Sequence, residues 1–223
     1  MKVSEIIKRS LRAALGLLVF TFGDYILINS NIGLPSWDCL SVGLASKTGL
    51  TVGRATLIIS FVLLVIDLIL GERIGLGTVL DAVLCGTFLD VYKLFDISNK
   101  SGSIVKGLLM LTAAMTLMAI GQFIYMKAGI CCGPRDALLV GVGKRLKRLP
   151  IGAVQVILFV VILLAGYLLG GKVGIGTIYG TFGMGVIMQI VFRIVRFEPR
   201  NVKHVDFIKM FKKEKKSAVS DRP

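Results

Sequence analysis

The chain has 223 residues, 55% of them hydrophobic, with 27 Lys and Arg against 13 Asp and Glu and a formal net charge of +14. A mean hydropathy of +0.81 excludes an ordinary soluble domain, which carries more charge and shorter apolar runs. The basic excess would suggest nucleic acid in a soluble protein. Here it gathers at the two ends and in one loop, where membrane topology accounts for it, so no nucleic-acid partner is expected.

Apolar runs fall near 11–29, 55–70, 76–95, 104–126, 151–169 and 175–195. Each is about long enough for a ~30 Å hydrocarbon core. They lack the alternation of barrel strands, so helices must satisfy their backbone. The first run follows Lys2, Lys8, Arg9 and Arg12, as a signal peptide would. No small-x-small cleavage site lies within reach, and the run is predicted as a retained first helix.

The halves repeat. Gly23, Ile32, Asp38, Leu40 and Gly43 recur as Gly121, Ile130, Asp136, Leu138 and Gly141, at an offset of 98. Leu50, Gly53, Leu70, Gly71, Gly75, Gly77, Thr78 and Gly86 recur as Leu149, Gly152, Leu169, Gly170, Gly174, Gly176, Thr177 and Gly185, at an offset of 99. Duplicated apolar halves are a common plan of small transporters, with the site at the repeat interface.

Charge sets the orientation. Segment 127–150 carries Lys127, Arg135, Lys144, Arg145, Lys147 and Arg148, whereas its repeat partner 30–53 carries only Lys47. The positive-inside bias places the first in the cytoplasm and the second outside. Equivalent loops on opposite sides mean inverted repeats, with an odd number of spans in each. The expected fold is therefore all-α and integral to the membrane. It has six transmembrane helices as two inverted three-helix repeats, 1–98 and 99–197. A basic cytoplasmic tail, 198–223, follows, and both termini lie in the cytoplasm. Val205, Ile208 and Phe211 alternate with lysines in that tail, as in an interfacial helix that touches anionic lipid.

After its first span each half has a short segment too brief to cross. One reads Ile32-Gly33-Leu34-Pro35-Ser36-Trp37-Asp38-Cys39-Leu40 and the other Ile130-Cys131-Cys132-Gly133-Pro134-Arg135-Asp136-Ala137-Leu138. Pro followed by Asp marks a helix N-terminus. Two readings stand. Asp38 and Asp136 cap two interfacial helices, or the helices are re-entrant and meet near the midplane, where the carboxylates bind a cation, a proton or an ammonium-bearing solute. Trp37 either stacks on that solute or anchors at the interface. Its repeat partner, Arg135, makes an internal ion pair, a charged mouth or a positive-inside residue.

The segment Gly33-Leu34-Pro35-Ser36-Trp37-Asp38, the turn Gly75-Leu76-Gly77-Thr78 and the later small-residue helix resemble the YczE-type (YczE/YyaS/YitT) bacterial membrane proteins over roughly 10–196. The resemblance implies a multi-pass protein of the bacterial inner membrane without an established molecular activity. It carries over no catalytic residues. The second half departs from the motif at Cys131, Cys132 and Arg135.

Other residues give further expectations. Thr78, Ala82 and Gly86, with Thr177, Thr181 and Gly185, are spaced by four, which predicts that the third and sixth spans cross near the pseudo-axis. Asp24 is the deepest acid in its span, and its repeat partner is Gln122. Asp67 and Asp81 are placed near cytoplasmic ends, where either Arg73 partners them or water reaches them, and Asp90 near the outer end, close to Lys93. Cys39, Cys85, Cys131 and Cys132 have no disulfide or metal spacing, and His204 is the single histidine, so neither metal nor cofactor is expected.

No nucleophile elbow or phosphate loop is present, and the chain is not expected to be an enzyme. The first functional expectation is a small-solute or ion transporter or channel. Its candidate site residues are Asp38, Asp136, Asp24, Trp37, Gln122 and Arg135. The alternatives are a substrate-binding membrane subunit of a multi-component uptake system and a non-transport scaffold. Substrate, coupling ion and oligomeric state are not written in the sequence.

Overall fold

The computed structural model describes residues 3–72, 74–98, 100–130 and 133–198. The predicted tail helix at 205–211 and the residues Arg73, Cys131 and Cys132 lie outside them. The described residues form eight helices and no strand: α1 (Val3–Asn29), α2 (Ser36–Thr48), α3 (Val52–Ile69), α4 (Leu76–Phe95), α5 (Ile104–Lys127), α6 (Pro134–Arg145), α7 (Ile151–Leu168) and α8 (Ile175–Ile194). Lengths of 27, 13, 18 and 20 residues are followed by 24, 12, 18 and 20.

Four helices are long and apolar enough to cross a membrane: Ser4–Asn29, Val52–Ile69, Ile104–Lys127 and Ile175–Ile194. Six were expected. Helix α4 falls short of that measure because Asp81, Asp90 and Lys93 all fall within it, while α7, Ile151–Leu168, is apolar and as long as α3. The outward faces are nevertheless apolar, with Leu15, Ile69, Leu109, Leu168, Ile178 and Phe182 exposed. A surface of that kind suits hydrocarbon, and in water it would drive aggregation.

The centre is α1 against α5. Gly16 and Gly121 let their backbones touch: a Cβ on Gly16 would stand 2.5 Å from the amide nitrogen of Tyr125, and one on Gly121 would run into Phe20. Gly23 does the same against Ala114 and Met118. This corrects the expected crossing of the third and sixth spans. Helices α4 and α8 share no comparable packing; α4 leans on α1 and α3, and α8 on α5. The small residues of α4 serve α3 instead, with Gly86 packed on Gly53.

The short helices fill the space between. Helix α2 starts at Pro35 and stops at Gly49, whose φ of 73° suits glycine and whose N–H donates to the Ala45 carbonyl. It packs on α7, and α6 packs on α3. The loops that lead into the short helices are pinned in the same way in both halves. The Gly176 N–H donates to the Ile32 carbonyl at 2.8 Å, and the Gly77 N–H donates to the Ile130 carbonyl at 2.7 Å. Each loop is thus stitched to the first turn of the last long helix of the opposite half.

Asp67 is fully buried in α3, and neither carboxylate oxygen has a hydrogen-bond partner among the described residues. An unsatisfied buried polar group costs about 1–3 kcal/mol. Asp67→Leu is therefore expected to raise the thermal midpoint in detergent by a few degrees. A midpoint that falls would show that Asp67 holds the fold together.

Candidate functional site

A cavity of about 300 Å³ lies where α1, α2, α4, α5, α6, α7 and α8 converge. All six residues singled out in the sequence, Asp24, Trp37, Asp38, Gln122, Arg135 and Asp136, line it. They arrive there because α2 and α6 turn their N-terminal ends toward each other. The Arg135 guanidinium nitrogen stands 3.9 Å from the Asp38 carboxylate, and the guanidinium carbon lies 5.3 Å from the Trp37 ring centroid. The two aligned repeat positions, Trp37 and Arg135, thus meet as a cation–π pair. The reading of Trp37 as an interfacial anchor is corrected, since its ring faces this cluster.

Asp38 and Asp136 both sit in the first turns, where a carboxylate offsets the helix dipole, but the N-caps are Pro35 and Gly133 and neither helix has a side-chain cap hydrogen bond. Asp38 instead makes a side-chain contact with Asp24, one helix away. Asp24 is only 6% exposed, and its Oδ1 has no hydrogen-bond partner among the described residues. The Gln122 amide lines the same cavity, on α5.

Several polar lining residues, Ser60, Gln155, Asp81 and Cys85 among them, were not singled out as site residues from the sequence. Asp81 and Cys85 lie on α4, one turn apart, and the thiol donates to the Asp81 carboxylate at 3.1 Å. The sequence placed Asp81 near a cytoplasmic end. Its depth comes from the loop before α6, which folds inward until Gly133 rests on the Asp81 carboxylate. The pattern of α4 alone carries no such signal; only the repeat, which sets Gly180 opposite Asp81, marks the position as asymmetric.

The remaining wall is soft and apolar. Phe20, Phe159 and four methionines, Met115, Met118, Met184 and Met188, face the cluster. Methionine adapts to irregular shapes because its chain is unbranched and polarisable. No group of three or more His, Cys, Asp or Glu arranged to hold a metal is present among the described residues.

Asp90, close to Lys93 as expected, accepts from the Thr51 hydroxyl at 2.6 Å and from the Gly53 N–H at 3.0 Å, at the start of α3. Together with the Gly53–Gly86 contact this latches α3 to α4. The repeat positions in the other half are Pro150, which has no hydroxyl, and Gln189. Gly152 and Gly185 match Gly53 and Gly86, yet a Cβ on either would meet nothing within 4 Å. Helices α7 and α8 share no packing comparable with that of α3 and α4. The cavity extends into that parting, where Gln155 and Phe159 of α7 face Met184 and Met188 of α8.

A family of unknown function, DUF6198, matches residues 7–193. The chain belongs to this family. It is 29% identical over 179 residues to an uncharacterized protein of Haemophilus influenzae, covering 80% of this chain and 81% of that one. Two Bacillus subtilis proteins are also similar. The uncharacterized protein YyaS is 28% identical over 185 residues, covering 81% of this chain and 90% of YyaS. The uncharacterized membrane protein YczE is 29% identical over 182 residues, covering 78% of this chain and 80% of YczE. The YczE-type resemblance of the sequence motifs is therefore that of a DUF6198 membrane protein. No solved structure matches.

Proposed function

We propose that this DUF6198 protein is a small-solute transporter of the bacterial inner membrane. In this reading it is built as two inverted repeats of three spans with both ends cytoplasmic, and the central cavity is its binding site. One observation carries the reading: equivalent helix pairs on either side of the cavity stand in different states. Gly53 of α3 is packed on Gly86 of α4, whereas Gly152 of α7 and Gly185 of α8 are apart. A binding subunit or scaffold has no need of the difference. A transporter does, because alternating access requires that one side be shut while the other is open. With the charge-derived orientation, the shut pair faces outward and the parted pair faces the cytoplasm.

The reading predicts that Gly152 and Gly185 approach each other when the cycle turns over. In a background with Cys39, Cys85, Cys131 and Cys132 replaced by alanine, Gly152→Cys with Gly185→Cys is expected to form a disulfide under mild oxidation in native membranes. Both positions have room for the added side chains. Disulfide formation needs Cα atoms within about 7 Å. A pair that never cross-links, in a protein that still elutes as a folded species, would mean a static parting and would sink the transport reading.

A further inference from the structure

The cavity has a definite chemistry. Four carboxyl groups, Asp24, Asp38, Asp81 and Asp136, line it, and Arg135 is the one cation among the described lining residues. Arg135 is already engaged by Asp38 and by the Trp37 ring. The thiol of Cys85 occupies Asp81. Asp136 is exposed, whereas the Oδ1 of Asp24 is buried, lies on the wall and lacks a hydrogen-bond partner among the described residues. A buried carboxylate oxygen of this kind costs stability unless a donor, best a charged one, meets it.

Size and wall narrow the donor. The cavity, at about 300 Å³, holds the volume of roughly ten liquid waters, far more than a bare ion requires. A metal lacks its ligand set among the described residues. An anion would face the oxygens of four carboxyl groups. A neutral solute would offer Asp24 Oδ1 no charged donor. The methionine and phenylalanine wall favours a ligand with an apolar body. We propose that the cavity takes an organic ammonium ion, whose N–H groups meet Asp24 Oδ1 beside Asp38 while its hydrocarbon part lies against Met115, Met118 and Phe159. This rests on the cavity being the solute site, as proposed above, and names the class of solute.

Trp37 makes the test direct. It is the single tryptophan of the chain and it lines the cavity, so its emission reports occupancy without a label. The detergent-purified full chain is titrated with phenethylammonium and hexylammonium. The controls are phenethyl alcohol, hexanoate, sodium and potassium. Saturable changes in Trp37 emission are expected with both amines at micromolar to millimolar concentration, with the alcohol at least about tenfold weaker and hexanoate inert. Asp24→Asn should weaken the amines by about tenfold or more, and Asp38→Asn, a second chance should the first variant fail to fold, should weaken them too. Asp67→Asn, a buried acid away from the cavity, should bind as wild type. Equal response to alcohol or hexanoate, competition by sodium or potassium at equal concentration, an unaltered affinity in folded Asp24→Asn, or no response to either amine would each overturn the assignment. The outcome separates from the transport reading: cross-linking at 152 and 185 with no amine response leaves transport standing for another solute class. Amine binding without cross-linking leaves a binding protein.

Discussion

Arg135→Met should lower the thermal midpoint in detergent by about 10 °C. Arg135 is the cation that faces Asp38, Asp24 and Asp81, and its loss strands carboxylates in a buried wall. Breaking a buried pair costs about 3–5 kcal/mol because the remaining charge is uncompensated. The lower end applies here, since the pair is 3.9 Å apart and the Arg135 side chain is 25% exposed. For a chain of this length about 1 kcal/mol moves the midpoint by 2–4 °C. Adding Asp38→Asn should return part of the loss, because the stranded charge goes with it. Residues in one network typically couple by about 0.5–3 kcal/mol. Arg135→Lys should fall between, since it keeps the charge but loses the planar group over Trp37. Differential scanning fluorimetry on wild type, Arg135→Met, Asp38→Asn, their double variant and Arg135→Lys checks this. Strictly additive losses would show that Arg135 and Asp38 are neighbours without being partners.

The site was legible where its signals were local. Pro35 followed by Asp38, and Pro134 followed by Asp136, marked two helix starts inside apolar sequence, and the repeat tied them together. An acid deep in a span, Asp24, needed no fold to stand out. The unread parts depend on which element comes alongside. Spacing by four in α4 and α8 says that a close approach is possible there, not which helix makes it. The most extensive packing went to α1 and α5, where Gly16 and Gly121 let the backbones touch, and α4 gave its Gly86 to Gly53 of α3. Asp90 had a nearby lysine to suggest a partner, yet a hydroxyl and an amide from α3 reach it first. Asp81 was placed by depth along its own helix, which ignores the loop that covers it.

The two halves share a frame and differ at the α3–α4 contact and in the cavity wall. Stitches at Ile32–Gly176 and Ile130–Gly77 are equivalent, as are the helix lengths. The differences fall on the latch and the charge cluster: Thr51 and Asp90 against Pro150 and Gln189, Trp37 against Arg135, Asp81 against Gly180. In the proposed transport reading, divergence there gives each side its own closing strength. A latch that includes a carboxylate hydrogen bond holds α3 to α4, and α7 with α8 has only apolar and glycine surfaces to bring together. The transport proposal then has the resting protein favour the parting at α7 and α8.

Gly53→Leu should reverse the preference. Any side chain at Gly53 runs into the Gly86 carbonyl and the Asp90 carboxylate, so the α3–α4 contact cannot form as it stands. If the halves alternate, wedging that side open closes the other, and the Gly152→Cys/Gly185→Cys pair should cross-link faster than in the unwedged protein. Moving an equilibrium from a small minority to a clear majority takes a bias of about 3–5 kcal/mol. Overpacking a close backbone contact supplies about 1–3 kcal/mol, and loss of the Thr51–Asp90–Gly53 hydrogen bonds adds about 1 kcal/mol or more. The cross-linking rate should therefore rise by about tenfold or more. Thr51→Val, which removes only the hydroxyl, should raise it by a few-fold. Gly86→Leu should act as Gly53→Leu does, since it wedges the same contact from α4. A wedge that merely destabilised the protein would lower the yield of folded, cross-linkable chain and leave the rate in that fraction unchanged. Rates measured on the folded fraction in membrane vesicles tell these apart, and an unchanged rate in both wedged variants would uncouple the two sides and end the case for alternation.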